Sequence, residues 1–249
     1  MSQSFRNVAV IPARYAASRF PGKLLAKLGG KTVIAQTYTA TKETGLFDTV
    51  MVATDSEDIR TIIEAEGGTV VMTRADHPSG TDRIAEAVQY INADVVVNVQ
   101  GDTPFINKSA LKKLVRLFDD AAVQVASLMD VISNRDDLHN PNVVKVCVDH
   151  RRNALFFSRS VLPYVQDPAA LTTHYRHIGV YAFRKKMLLQ FVQWPIGPLE
   201  AAEKLEGLRY LENGVQPRMA VVPPIGVDIN TPDDLKKAQA LITGHPTQT

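Results

Sequence analysis

The chain has 249 residues, 45% of them hydrophobic, with 28 basic side chains, 26 acidic ones and one cysteine. This length gives ample core for one large domain or two small ones, and the single Cys147 excludes an internal disulfide and fits a reducing compartment. A net charge of +2 excludes the broad basic surface of a nucleic-acid track, and no apolar run approaches the length of a membrane span.

Residues 8–11 read as a first β-strand. The loop that leaves it is turn-rich, with Pro21-Gly22, and carries Arg14, Arg19 and Lys23. The first 42 residues hold seven Lys or Arg and no acid, while the remainder has 21 basic against 26 acidic residues. A local cationic excess in a nearly neutral chain points to a compact anionic ligand such as a polyphosphate. Loops at the carboxyl ends of strands are also where open α/β sheets bind ligands.

The pattern then predicts a helix over 33–43, a strand over 49–53, and a helix over 57–66 that Ser56 caps and Gly67-Gly68 ends. A short strand over 70–72, a helix over 81–89 and a buried strand over 95–99 follow. Residues 108–118 read as a helix with Leu111, Leu114, Val115 and Phe118 on one face. The second half is richer in strands, over 123–129, 143–148, 154–157 and 178–183. Two helices close the chain, over 199–213 and 232–241, the second with Thr231 as N-cap and Pro232 at its first position. Strands alternating with helices imply an α/β fold with a mostly parallel sheet flanked by helices. No repeat, linker or domain break interrupts it. Cys147 lies in a β-pattern and reads as a structural thiol. An acid-free N-terminus can signal organelle targeting, but residues 8–11 are β-rich and the loop after them is specific, so a cytoplasmic protein is expected.

Several residues have the chemistry of a site. Asp102 ends the Val-rich strand through Gln100-Gly101 and places a carboxylate at the same sheet edge as the cationic loop. Magnesium takes oxygen ligands, usually one or two carboxylates plus substrate phosphates. Asp228 and Asn230 share one face by the period-two rule, so either can serve the same ion. Ser79-Gly80-Thr81-Asp82-Arg83 opens a helix and offers backbone N–H groups and a guanidinium to an anion. His177, Gly179 and Tyr181 alternate with Ile178, Val180 and Ala182, which makes one face polar; Gln100 and Arg159 offer further polar contacts, and Glu203 and Glu206 read as a solvated helix face.

At these residues the chain resembles the 3-deoxy-manno-octulosonate (Kdo) cytidylyltransferases. The matching segments are residues 11–23, 52–55, 72–83, 97–102, 157–159, 177–181 and Leu205-Glu206, spread over almost the entire chain. The resemblance implies a Rossmann-like nucleotide-diphospho-sugar transferase fold and a magnesium-dependent reaction of CTP with Kdo. The products would be CMP-Kdo, for lipopolysaccharide synthesis, and pyrophosphate. It implies one nucleotidyltransferase domain, with residues 1–120 binding CTP, residues 121–243 binding the sugar acid and dimerising, and 244–249 a flexible tail. Arg14, Lys23 and Asp102 would be catalytic. Ala13, Arg19, Asp55, Ser79 and Gly80 would complete the CTP site, and Asp102 with Asp228 would hold magnesium. Arg83, Gln100, Arg159, His177, Tyr181 and Glu206 would face the sugar acid. A homodimer is likewise implied, with no nucleic-acid or membrane partner.

The chain departs from the family pattern at three places. Thr103 stands after Asp102 where the family reads Glu. Gly207 replaces the Gln of Leu-Glu-Gln-Leu-Arg. Ile229-Asn230 extend the metal motif, so that one alignment offers Asp228 to the ion and the other Asn230. Asp228 is preferred because a carboxylate serves magnesium better than an amide. The departures leave open activation of another acid, an amino-Kdo or a sialic acid. The reading from a different class is a non-catalytic nucleotide-binding regulator.

Overall fold

The structure is a computed structural model that describes residues 5–14, 20–167, 169–226 and 228–243. The chain forms two compact units, one built from the residues up to Leu111 and from Ile225 onward, the other from Lys112–Pro224. The expected boundary near residue 120 kept 225–243 with the second half; the structure returns that segment to the first unit.

The first unit begins with β1 (Asn7–Ala13), a short hairpin of β2 (Lys27–Leu28) and β3 (Lys31–Thr32), and α1 (Val33–Glu43). β4 (Thr49–Thr54), α2 (Glu57–Ala65), β5 (Thr69–Met72), α3 (Gly80–Val88), β6 (Val95–Asn98) and α4 (Lys108–Arg116) follow. β6, β1, β4 and β5 lie side by side in that order and all pair in parallel. Parallel strands joined by helical crossovers are covered on both faces, so they read as apolar runs; Val8, Val10, Val52, Val95 and Val97 are fully buried. The helices start where short polar side chains cap them. Thr32 accepts from the Ala35 amide, Ser56 from Ile59, and Ser79 from both Thr81 and Asp82.

The second unit contains β7 (Val125–Val131), α5 (Arg135–His139), β8 (Lys145–Val148), β9 (Ala154–Ser158) and β10 (Tyr175–Arg184). It continues through α6 (Lys185–Phe191), α7 (Pro198–Glu203), α8 (Gly207–Glu212) and β11 (Arg218–Val221), after which α9 (Pro232–Thr243) belongs to the first unit. β7 pairs parallel with β11 and antiparallel with β10; β10 continues antiparallel to β8, and β8 to β9. Met129, Val146, Ala154, Phe157, Leu208 and Met219 form its core.

The α/β class with parallel strands and a strand-rich second half is as expected. The helix expected over 199–213 is two helices. Lys204 adopts a left-handed conformation (φ 54°) that ends α7, and α8 restarts at Gly207. Cys147 is half-buried, and burial raises its thiol pKa, so it stays a protonated thiol. Among the described residues no helix is long and apolar enough to cross a membrane. The expected tail over 244–249 lies outside the described residues.

Candidate active site

The parallel pairing of the first unit brings several strand ends to one edge. Ala13 is in register with Thr54, and Thr54 with Met72, so Arg14, Asp55 and Thr73 leave adjacent strands at the same level. Gln100, Gly101 and Asp102 leave β6 on that side, because β6 runs parallel to β1. Gly22, in the left-handed region at φ 71°, turns the chain into a 3₁₀ helix at Lys23–Leu25. Lys23 Nζ there forms an ion pair with the Asp102 carboxylate, the two side chains being 16% and 20% exposed.

Asn230 reaches the same place. Its Oδ1 lies 3.5 Å from Lys23 Nζ, and the Ile229 amide donates to the Asp102 carbonyl at 3.0 Å. Ile229 is fully buried and Asp228 is exposed, so the segment is anchored through its apolar residue. The amide of Asn230 stands beside the Lys23–Asp102 pair, the position for which the sequence reading preferred Asp228. Gly101 is needed here for space rather than for its backbone angle. A Cβ would lie 3.1 Å from the Pro12 carbonyl and 3.2 Å from Ile34 Cδ1. Thr103 closes the turn by donating to the Gln100 carbonyl at 2.5 Å.

Arg83 has a different surrounding from the one expected. Only 1% of the residue is exposed, and its guanidinium pairs with Asp55 at 3.0 Å and donates to Thr73 at 2.6 Å. Burial lowers its pKa, Asp55 opposes that, and Arg14 adds a like-charge push. The guanidinium thus holds the ends of β4 and β5 and is matched with the Asp55 carboxylate. Ser79 spends its hydroxyl on Asp82 (2.6 Å) and on the cap of α3, and Gly80 begins that helix with Pro12 beneath it. Arg14 is exposed, and Ala13 is buried at the end of β1. Gln100 donates to Asn98 at 3.2 Å. Arg19 lies outside the described residues.

The second unit carries a separate polar and aromatic cluster. His177 Nε2 is 2.9 Å from Ser127 Oγ, which also lies 3.1 Å from the Ile178 carbonyl and 2.9 Å from that of Val180. Two carbonyls can only accept, so the serine hydroxyl donates to one of them and accepts from a His177 Nε2–H. The ring stands edge-on to Phe157 at 4.8 Å and to Tyr181 at 5.2 Å. Desolvation lowers the His177 pKa to about 4, so the imidazole is neutral at pH 7. Burial, with Glu206 and Glu200 adding to it, raises that of Tyr181 and keeps its hydroxyl protonated.

Arg159 is fixed by Glu203. Its amide donates to the carboxylate at 2.9 Å and its Nε to the Glu203 carbonyl at 2.8 Å, while Ser158 donates to the same carboxylate at 2.5 Å. Glu203 therefore anchors β9 rather than standing as a solvated face. Glu206 is half-buried, immediately before α8. Arg209 pairs in a fork with Glu200 at 2.6 and 2.7 Å. The sequence gives no local mark of Ser127 or Glu200, a lone Ser in a strand and a Glu on a helix whose partners are distant.

The acceptors at the Lys23–Asp102 edge are all oxygen, and the carboxylate already attracts a cation, so these residues fit a magnesium ion, which Asp102 would hold. Among the described residues no group of three or more His, Cys, Asp or Glu converges as a self-sufficient metal cage.

The sequence profile described as cytidylyltransferase matches residues 8–220. A 3-deoxy-manno-octulosonate cytidylyltransferase from Flavobacterium johnsoniae is 50% identical over 238 residues, covering 94% of this chain and 98% of that one. One from Christiangramia forsetii is 50% identical over 241 residues, covering 96% and 97%. Among solved structures, a CMP:2-keto-3-deoxy-manno-octonic acid synthetase complexed with CTP superposes with a TM-score of 0.92 at 39% identity over 96% of this chain and 99% of that one. A 4-diphosphocytidyl-2C-methyl-D-erythritol synthase from Anaerococcus prevotii, at 16% identity and a TM-score of 0.61 over 95% of this chain and 98% of that one, shares the fold. With Lys23 and the Asp102 carboxylate meeting at the edge of its parallel strands, the chain belongs to the cytidylyltransferase family, among its 3-deoxy-manno-octulosonate members.

Proposed function

We propose that this chain couples Kdo to the CMP moiety of CTP, giving CMP-Kdo and pyrophosphate. The observation that carries the reading is the convergence of Lys23, Asp102 and Asn230 at the strand edge, in a chain half identical to relatives named for that reaction. In the reaction the anomeric hydroxyl of the sugar acid attacks the α-phosphorus and the bond to the β-phosphate oxygen breaks. Negative charge grows on the leaving pyrophosphate, so catalysis is chiefly positioning and charge stabilisation.

Arg14 and Lys23 supply the protein's positive charge at the phosphates. Asp102 holds the Lys23 ammonium in place before the triphosphate arrives. A magnesium ion held by Asp102, with Asn230 or Asp228 alongside, would polarise the phosphate oxygens when bound. His177 is neutral and tethered to Ser127, so it orients sugar hydroxyls as a hydrogen-bond partner and not as a cation. Tyr181 and Glu206 join it, Gln100 adds an amide and Arg159 a cation. Aligning the two substrates can supply on the order of 7–11 kcal/mol of the barrier reduction. The same reading makes the protein a cytoplasmic homodimer that supplies CMP-Kdo for lipopolysaccharide synthesis.

Pyrophosphate release with CTP and magnesium, offering Kdo, its 8-amino analogue and N-acetylneuraminic acid in parallel, tests the proposal. Turnover with Kdo alone is expected. Turnover only with another acid would keep the chemistry and reassign the sugar. Silence with all three, in folded protein that still binds CTP, would overturn it.

A further inference from the structure

One carboxylate ties the first turn of α9 to the Lys23–Asp102 edge. Asp234 Oδ2 accepts from the Asn230 amide at 3.1 Å, from the Thr231 amide at 2.9 Å and from the Thr231 hydroxyl at 2.8 Å. The Asp234 amide donates back to Thr231 Oγ1 at 3.2 Å. A Thr at the N-cap answered by an acid at the third helical position is a capping box, whose acid ordinarily serves the N-cap amide. Here the carboxylate reaches one residue further back, to Asn230. The residue before it is fixed as well, since Ile229 is fully buried and its amide donates to the Asp102 carbonyl at 3.0 Å. Asn230 is thus held from both sides, with its Oδ1 3.5 Å from Lys23 Nζ.

The far end of α9 meets the chain that leaves Lys23. Gln239 Nε2 donates to the Lys27 carbonyl at 3.3 Å, at the start of the β2–β3 hairpin. Gly29 stands in the turn of that hairpin at φ 57°, and a Cβ there would lie 2.9 Å from Ile242 Cγ2. From Asp234 to Ile242 the helix rises about 12 Å. One short rigid element therefore holds Asn230 at its start and the hairpin behind Lys23 at its end.

We propose that Asp234 is a positioning residue for the triphosphate of CTP. Its carboxylate sets Asn230 against Lys23, with α9 as the strut, and acts on the phosphates only through that asparagine. The inference rests on the proposed function, in that the Lys23–Asp102 edge receives the triphosphate.

The test reads the dissociation constant for CTP with magnesium by equilibrium dialysis, with no sugar acid present, and thermal midpoints alongside. Asp234→Ala should weaken CTP binding about five- to tenfold, the scale of one lost hydrogen bond. Asp233→Ala removes the neighbouring acid of the same turn, which pairs with Lys236 at 3.0 Å. It takes the same charge from the helix start and should leave CTP binding within about twofold. In an Asn230→Ala background Asp234→Ala should change CTP binding by less than about twofold, because the side chain it positions is gone; such coupling marks residues that act together. If Asp234→Ala does not fold, Asp234→Ser, whose short hydroxyl falls well short of the carboxylate's reach, is read by the same comparisons. Equal weakening by Asp233→Ala and Asp234→Ala, no weakening by Asp234→Ala, or full additivity with Asn230→Ala would overturn the inference and leave Asp234 a helix cap. Unmodified protein that binds no CTP would sink the functional reading and the inference together. CTP binding without pyrophosphate release would sink the functional reading alone.

Discussion

The rings of His177 and Tyr181 lie 5.2 Å apart, although four residues separate them along β10. A regular strand advances about 3.3 Å per residue, which would set their Cα atoms about 13 Å apart. The register of β10 against β7 shifts between Ile178 and Tyr181, a bulge that bends the strand and draws the two side chains together. Ser127 Oγ lies within hydrogen-bond distance of the carbonyls on either side of Gly179, pins the bulge by donating to one of them, and reaches His177 with the same hydroxyl. A site on one strand is thus made by a local irregularity.

The depressed pKa of His177 makes stability depend on pH. Its folded value is about 4 against an ordinary 6.5, so between those values the unfolded chain binds the proton and the folded protein does not. Stability should therefore fall as the pH drops from 7 toward 4, by up to about 3 kcal/mol, since each pKa unit is worth about 1.4 kcal/mol. Urea denaturation at pH 7 and pH 4.5 measures it. His177→Gln should show a smaller loss than the unmodified protein, and an equal loss would show that other groups govern the slope.

Asp102→Asn should separate catalysis from stability. The side chain is partly exposed and pairs with a partly exposed lysine, so its loss should cost no more than about 1 kcal/mol of folding. The amide keeps the shape but loses the charge that holds Lys23. Pyrophosphate release should fall at least about 100-fold, the scale of losing one electrostatic contact at a transition state. Residual activity within a few-fold of the unmodified protein would remove Asp102 from the catalytic set.

The regular elements of the first unit were legible because local signals and tertiary structure agree there. The helix over 33–43 was placed to the residue, and Ser56 and Thr231 were read as caps from chemistry that acts over three or four residues. The strand edge carrying Arg14 and Asp102 is legible from the alternation of strands and helices, whereas Asp55 enters only through the family resemblance. What was not legible depends on distant partners. Arg83 looked free at a helix start, yet Asp55, 28 positions earlier in the chain, claims it in the interior. The helix over 199–213 has the right composition throughout, but Lys204 turns left-handed and the fork between Glu200 and Arg209 holds the two pieces. α6 and β11 follow from packing in the second unit rather than from periodicity. Asn230 is visible in the sequence as a candidate, whereas the burial of Ile229 that orients it depends on the tertiary structure.

Breaking the Arg83–Asp55 pair should be costly for the fold. Asp55→Ala leaves a guanidinium on a residue that is 1% exposed, with Thr73 as its hydrogen-bond partner among the described residues and Glu86 as a more distant counter-charge. An uncompensated buried charge of this kind costs about 3 kcal/mol or more. Converting the arginine as well, in Asp55→Ala/Arg83→Met, removes the charge and fills most of the same volume, so the double variant should be more stable than Asp55→Ala alone. Equilibrium unfolding in urea decides it, and a double variant less stable than the single would show that the guanidinium has other partners.

Tyr210 invites the opposite expectation. Its ring is fully packed, stacked on Phe191 at 4.2 Å and close to Phe183 and Trp194, yet its buried hydroxyl has no hydrogen-bond partner among the described residues. Burial and the nearby Glu206 and Tyr181 raise its pKa well above the ordinary value, so the group is a neutral hydroxyl whose hydration has been lost. An unsatisfied buried hydroxyl costs about 1–3 kcal/mol, while phenylalanine keeps every ring contact. Tyr210→Phe should therefore leave the protein as stable as before, or more stable by about 1 kcal/mol. A urea midpoint lowered by that amount would mean that the hydroxyl is satisfied in solution, by a water in the aromatic cluster or by a carboxylate such as Glu206.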